Sequence, residues 1–126
     1  MKKILVVDDE MNVAEFLKEY LLDTGKFIVE TEGSAAGAYK TARTFLPDLI
    51  LLDIRMKDMS GDALAEKMRG DATLRNIPIV FLTGIVTQEE VNAHNGTIGG
   101  YPYLAKPIMD MRVLLDCIEA HTSKVM

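Results

Sequence analysis

Leu49-Ile50-Leu51-Leu52-Asp53 decides the fold of this chain. Four apolar residues follow one another without alternation and end on an acid. A strand with one wet face alternates apolar and polar residues; an unbroken run belongs to a strand covered on both faces, as in a parallel sheet flanked by helices. Two further runs read the same way. Ile4-Leu5-Val6-Val7 ends on Asp8-Asp9, and Ile79-Val80-Phe81-Leu82 ends on Thr83.

The segments between these runs have helical period. After a strand Lys3–Val7, apolar Val13, Phe16, Leu17, Tyr20 and Leu21 recur at three and four residues, and Gly25 suits a helix stop. Phe27–Thr31 reads as a second strand, with Glu30 and Glu32 marking a sheet edge. Ser34 is placed to cap a helix that reaches about Phe45 and is ended by Pro47. After the central strand Asp48–Asp53, a loop Ile54–Ser60 leads to a helix from Gly61 to about Arg69. Pro78 opens the strand Ile79–Leu82. Thr87-Gln88-Glu89-Glu90 reads as a capping box for a helix ending near Asn95-Gly96. Tyr101–Leu104 is a short strand in which Pro102 removes a ladder donor and so predicts an edge. Asp110–His121 is the last helix. Strand and helix alternate five times, which predicts one α/β domain over residues 1–121: a doubly wound, five-stranded parallel sheet with helices on both faces and a tail, 122–126.

Parallel strands bring their carboxyl ends to one edge, where such folds bind ligands. Asp8, Asp9 and Asp53 would meet there, with Lys106 of the Lys106-Pro107 pair beside them. Carboxylates that close repel unless a cation or protons intervene, so the arrangement asks for a metal.

Composition narrows the function classes. A net charge of −5, from 14 basic and 19 acidic residues, offers no basic face for direct nucleic-acid binding. The lone Cys117 cannot form an internal disulfide, which points to a reducing compartment. Met1-Lys2-Lys3 is followed by only four apolar residues, too few for a signal core, and no apolar stretch approaches a membrane span. The expected location is cytoplasmic, with no membrane partner.

Four stretches together resemble the receiver domain of two-component response regulators: Val7-Asp8-Asp9-Glu10, Leu51-Leu52-Asp53-Ile54-Arg55-Met56, Phe81-Leu82-Thr83-Gly84 and Tyr103-Leu104-Ala105-Lys106-Pro107. The resemblance covers Met1 to about His121 and implies a flavodoxin-like strand order 2-1-3-4-5. It implies that Asp53 accepts a phosphoryl group from a histidine kinase or histidine phosphotransfer protein. Mg2+ would be held by Asp8, Asp9, Asp53 and the backbone carbonyl of Arg55. Lys106 and Thr83 would contact phosphoryl oxygens, the Lys106-Pro107 bond would be cis, and Thr83 with Tyr103 would form a conformational switch. The output would go to a downstream protein or effector domain. The face made by the helix after Thr87, the strand at Tyr103 and the last helix is a surface on which such chains can dimerise. On this reading the chain is a signalling acceptor and acts enzymatically only on its own phosphorylation state.

Plainer readings stand beside these. Asp8 and Asp9 can simply favour the positive end of the first helix, and Asp53 and Thr83-Gly84 can be turn residues. Tyr103 can be a static aromatic, with Tyr101 as its rival for the switch position. His94 and His121 lack ligand partners and are expected at the surface. Met56, Met59, Met109 and Met111 are expected to fill gaps, and Cys117 to be inert. A phosphorylation-independent interaction module on the same fold is the alternative function. A flavin-phosphate site would need a Gly/Ser/Thr-rich first loop in place of Asp8-Asp9-Glu10. A haloacid-dehalogenase-like phosphatase would need an Asp-x-Asp nucleophile motif and a cap domain.

The chain departs from the family pattern in a few places. Lys57 stands where a proline is usual, which predicts a looser Met56–Ser60 loop. Gly84 replaces a commoner alanine, and Ile85 is expected to hinder water and slow hydrolysis.

Overall fold

The computed structural model describes residues 1–84, 87–93, 97–98, 100–108 and 110–122, those at 97 and 98 by backbone only. Five strands, β1 (Lys2–Val7), β2 (Phe27–Glu32), β3 (Leu49–Asp53), β4 (Ile79–Thr83) and β6 (Tyr101–Ala105), form a parallel sheet in the order β2-β1-β3-β4-β6. A two-residue strand, β5 (Thr97–Ile98), pairs antiparallel with β6, Ile98 opposite Tyr101 and Thr97 opposite Pro102. Pro102 therefore sits on the last parallel strand, as its missing N–H predicts, but the outer margin of that strand carries a short hairpin partner.

The unbroken apolar runs are explained by two cores. Ile4, Val6, Leu49, Leu51, Val80 and Leu82 face one side, under α1 (Met11–Asp23) and α5 (Met111–Thr122). Leu5, Val7, Ile50, Leu52, Ile79 and Phe81 face the other, under α2 (Ala35–Phe45) and α3 (Gly61–Arg69). Every residue of β3 and β4 is buried. Burying a Leu or Ile side chain contributes roughly 1.5–3 kcal/mol, so the apolar residues of these strands make a large contribution to the hydrophobic stabilisation.

Helix ends follow their capping residues. Ser34 Oγ accepts from Gly37 N and Ser60 Oγ from Ala63 N, starting α2 and α3 where the sequence places them. Thr87 Oγ1 accepts from Glu90 N at 3.1 Å while Glu90 Oε1 takes the Thr87 hydroxyl, opening α4 (Gln88–Ala93). The expected end of that helix, Asn95-Gly96, lies outside the described residues, as do His94, Met109 and Ile85. After α1, Gly25 takes φ +73°, a conformation that side chains resist. The last helix runs through Thr122, whose hydroxyl accepts from Lys2 Nζ and donates to the Ile118 carbonyl.

One expectation about α1 is corrected. Its buried stripe is Ala14, Leu17 and Leu21, with Val13 and Tyr20 as shoulders, and Phe16 is 58% exposed. Phe16 instead walls an apolar groove of about 460 Å³, with Val13, Leu17, Ile108 and Met111. The loop after β3 is also tied down more than Lys57 predicts: Gly61 N donates to the Ile54 carbonyl at 2.7 Å, and Asp58 accepts two backbone hydrogen bonds from α2.

Candidate functional site

The site lies at the carboxyl edge of the sheet. Asp8 follows β1, Asp53 ends β3, Thr83 ends β4, and Lys106 follows β6. The register sets Asp53 beside Leu82 and Thr83 beside Ala105, and Lys106 N donates to the Thr83 carbonyl at 2.7 Å, so the four strand ends are held level. The Lys106–Pro107 peptide is cis.

Asp8, Asp9 and Asp53 each bring a carboxylate oxygen within 4.8 Å of the others. Asp8 is fully buried and Asp53 is 4% exposed. Asp8 Oδ1 accepts from Glu10 N at 2.9 Å, while its Oδ2 accepts from Lys106 Nζ at 2.9 Å. Lys106 Nζ also stands 3.4 Å from Asp53 Oδ1 and 3.4 Å from Glu10 Oε1. Asp53 Oδ1 further accepts from Arg55 N at 3.3 Å. The three carboxylates predicted to converge do so, and the predicted lysine sits among them. Glu10, which the sequence reading left without a role of its own, joins the same ammonium. Its place directly after the acidic pair was the only available signal.

Charge balance at this edge is incomplete. Burial and the neighbouring Asp8 charge push the Asp53 carboxyl up to about 6, although Lys106 pulls the other way. Burial opposes the charged form of Lys106, yet Asp8, Asp53 and Glu10 together outweigh it and hold the ammonium above the usual lysine value. One cation is thus shared among several acids. A set of hard oxygen donors with excess negative charge fits a hard divalent cation such as Mg2+. Asp9, Asp53, Arg55, Thr83, Gly84 and Lys106 line a cleft of about 370 Å³, room for a phosphoryl-sized group beside the carboxylates.

The aromatic neighbours differ from one another. Phe81 holds Tyr101 edge-on at 5.0 Å and Tyr103 tilted at 5.1 Å. Arg69 Nε donates to the Tyr101 hydroxyl at 3.4 Å and its guanidinium lies 5.3 Å from that ring. Tyr103 is half-buried, and burial together with the charge of Asp62 raises its hydroxyl above the ordinary tyrosine value. Away from the site, burial pushes the Cys117 thiol up to about 11, which suits an unreactive packing residue. Met56, Met59 and Met111 pack against the two cores, and His121 is exposed. No helix among the described residues is long and apolar enough to cross a membrane.

Comparison with known proteins agrees with this geometry. A family model described as the response regulator receiver domain matches residues 4–119. Response regulator Rre1 of Synechocystis is 33% identical over 105 residues, covering 82% of this chain and 45% of that protein. Response regulator PleD of Caulobacter vibrioides is 36% identical over 110 residues, 86% of this chain and 24% of that protein. The chain thus spans less than half the length of these two curated relatives. A crystal structure of a putative response regulator from Chloroflexus aurantiacus superposes with a TM-score of 0.82 at 26% identity, covering 98% of each chain. The match to the family model begins inside β1, ends inside α5 and takes in every residue lining the cleft, and the chain belongs to the family of response regulator receiver domains.

Proposed function

We propose that this receiver works as a Mg2+-dependent phosphoacceptor, with Asp53 as the residue that is phosphorylated. The observation that carries the reading is the convergence of Asp8, Asp9 and Asp53 within 4.8 Å, with the ammonium of Lys106 among them. A carboxylate in such a place is a nucleophile toward phosphorus. An Asp53 oxygen attacks a phosphohistidine, an O–P bond forms, the P–N bond breaks, and the imidazole leaves with a proton. Phosphoryl transfer demands mostly positioning and charge neutralisation from the protein. Asp8, Asp9, Asp53 and the Arg55 carbonyl would hold the cation, which supplies charge neutralisation to the phosphoryl oxygens when bound. Lys106 then exchanges part of its pairing with Asp8 and Asp53 for a phosphoryl oxygen, and Thr83 donates its hydroxyl to another.

The switch follows from differential contacts. A new group biases a two-state protein only through interactions made in one state. Thr83 and Lys106 are those interactions, and Tyr103 is the side chain that responds. Tyr101 is already engaged by Arg69, which leaves Tyr103 the better candidate. The donor would be a histidine kinase or phosphotransfer protein, and the altered α4–β6–α5 face would meet a downstream protein, effector domain or second copy.

Incubation with acetyl phosphate and Mg2+ is expected to add one phosphoryl mass to the native chain and none to D53N. Labelling that persists in D53N would remove the assignment. A beryllofluoride titration should perturb the Tyr103 resonances in the native chain; no perturbation would favour an interaction module that signals without phosphate.

A further inference from the structure

We propose that Asp58 is a positioning residue for the metal-binding edge, clamping the loop that carries Arg55 to the first turn of α2. The proposal rests on the reading above, in which the Arg55 carbonyl serves the cation.

A helix leaves its first four N–H groups without partners inside the helix. Of the three in the first turn of α2, one is met locally, Gly37 N donating to Ser34 Oγ, while Ala38 N makes the first intrahelical bond to the Ser34 carbonyl. The other two cross to a different loop. Ala35 N donates to Asp58 Oδ1 at 3.0 Å and Ala36 N to Asp58 Oδ2 at 3.1 Å. The first turn of α2 has no acid of its own, and Asp58 brings negative charge to the positive end of the helix dipole, alongside the Glu32 carboxylate that lies beside Gly37. Those two bonds hold its carboxyl below the usual carboxylate range, keeping it ionised and able to clamp.

Only Ile54, Arg55, Met56 and Lys57 separate Asp53 from Asp58. Arg55 N is tied back to Asp53 Oδ1, and the Ile54 carbonyl is tied forward to Gly61 N. Ile54 N is tied to the Leu82 carbonyl as well, and Asp58 adds an anchor on the far side of the Arg55 peptide, fixing the loop to an element that does not line the cleft. With Lys57 where a proline would stiffen the chain, this bidentate clamp takes over the restraint. The near-octahedral geometry of Mg2+ tolerates little misplacement of an oxygen ligand, so loosening the clamp should weaken metal binding.

The test compares D58A, D58N and S34A by calorimetric titration of Mg2+ into the unphosphorylated full chain. S34A removes another cap of the same helix without touching the loop. D58A is expected to bind Mg2+ about 10-fold more weakly. D58N should recover only part of that loss, because its amide oxygen accepts from one of the two N–H groups while its NH2 cannot accept from the other, and S34A should bind as the native chain does. Hydrogen exchange supplies a second reading: Mg2+ should slow exchange at the Ala35 and Ala36 amides of the native chain. Unchanged affinity in D58A overturns the proposal, as does S34A weakening binding as much as D58A. If D58A folds poorly, the native amides decide, and exchange there indifferent to Mg2+ overturns it. A native chain that binds no Mg2+ would instead remove the reading of the cleft itself.

Discussion

Asp53 is buried beside another carboxylate and shares one lysine with it, so its charged form is held at a cost to the folded state. A carboxyl whose folded pKa is raised lends stability that is full below the unfolded value and is lost as pH climbs through the folded one. Here that window runs from near 3.8 to about 6. Urea denaturation in EDTA should therefore find D53N more stable than the native chain at pH 7, by on the order of 1–3 kcal/mol. The difference should fade toward pH 4, where the native carboxyl is protonated. A native chain as stable as D53N at pH 7 would contradict the crowded charge. Gly61 makes a separate case. A Cβ there would press on the Asp53 carbonyl oxygen and lie 2.9 Å from Ile54 Cα, both main-chain atoms that cannot swing aside. G61A should lose about 1–3 kcal/mol in thermal or urea unfolding despite the gain expected from a less flexible unfolded chain. At this scale the carboxylates and Lys106 were legible in the sequence because each ends or follows an apolar run. The partners of Asp58 were not, because its two donors are 23 and 22 residues away and become neighbours only when α2 is in place.

The elements obey their punctuation, with one strained end. Leu46 terminates α2 at φ 51°, the left-handed region that L side chains resist, and its side chain is 49% exposed. L46G should relieve that strain with little lost packing, adding roughly 0.5–1 kcal/mol and raising Tm by a few degrees. An unchanged or lowered Tm would show that the Leu46 side chain packs better than its exposure indicates. Strands β1, β3 and β4 could be read at once, since burial on both faces leaves no alternation to misassign. Phe16 misled because a helical period of three and four marks a broad face; the narrow stripe that reaches the sheet is Ala14, Leu17 and Leu21. The hairpin strand β5 is too short to leave a pattern, and only a turn glycine, Gly100 at φ 88°, hints at it.

For the whole molecule, the proposed cation binding at the carboxyl edge would be coupled to folding. Any cation that binds only the native state stabilises it by mass action. At ten times its Kd, Mg2+ should add about 1.4 kcal/mol to the native chain at pH 7, read as a shift in the urea midpoint. It should add little to D53N, and equal stabilisation of both would place the cation elsewhere. The parallel architecture made this edge predictable, since crossover connections leave β1, β2, β3, β4 and β6 pointing the same way. The charge traffic within it was less so: the Glu10–Lys106 pair depends on a side chain that is largely exposed. The central claim concerns one covalent bond. Borohydride reduces an aspartyl phosphate to homoserine, so peptide mass mapping after acetyl phosphate, Mg2+ and borohydride locates the phosphoryl group directly. Conversion at position 53 alone is the predicted result; conversion at 8 or 9, or none anywhere, would contradict it.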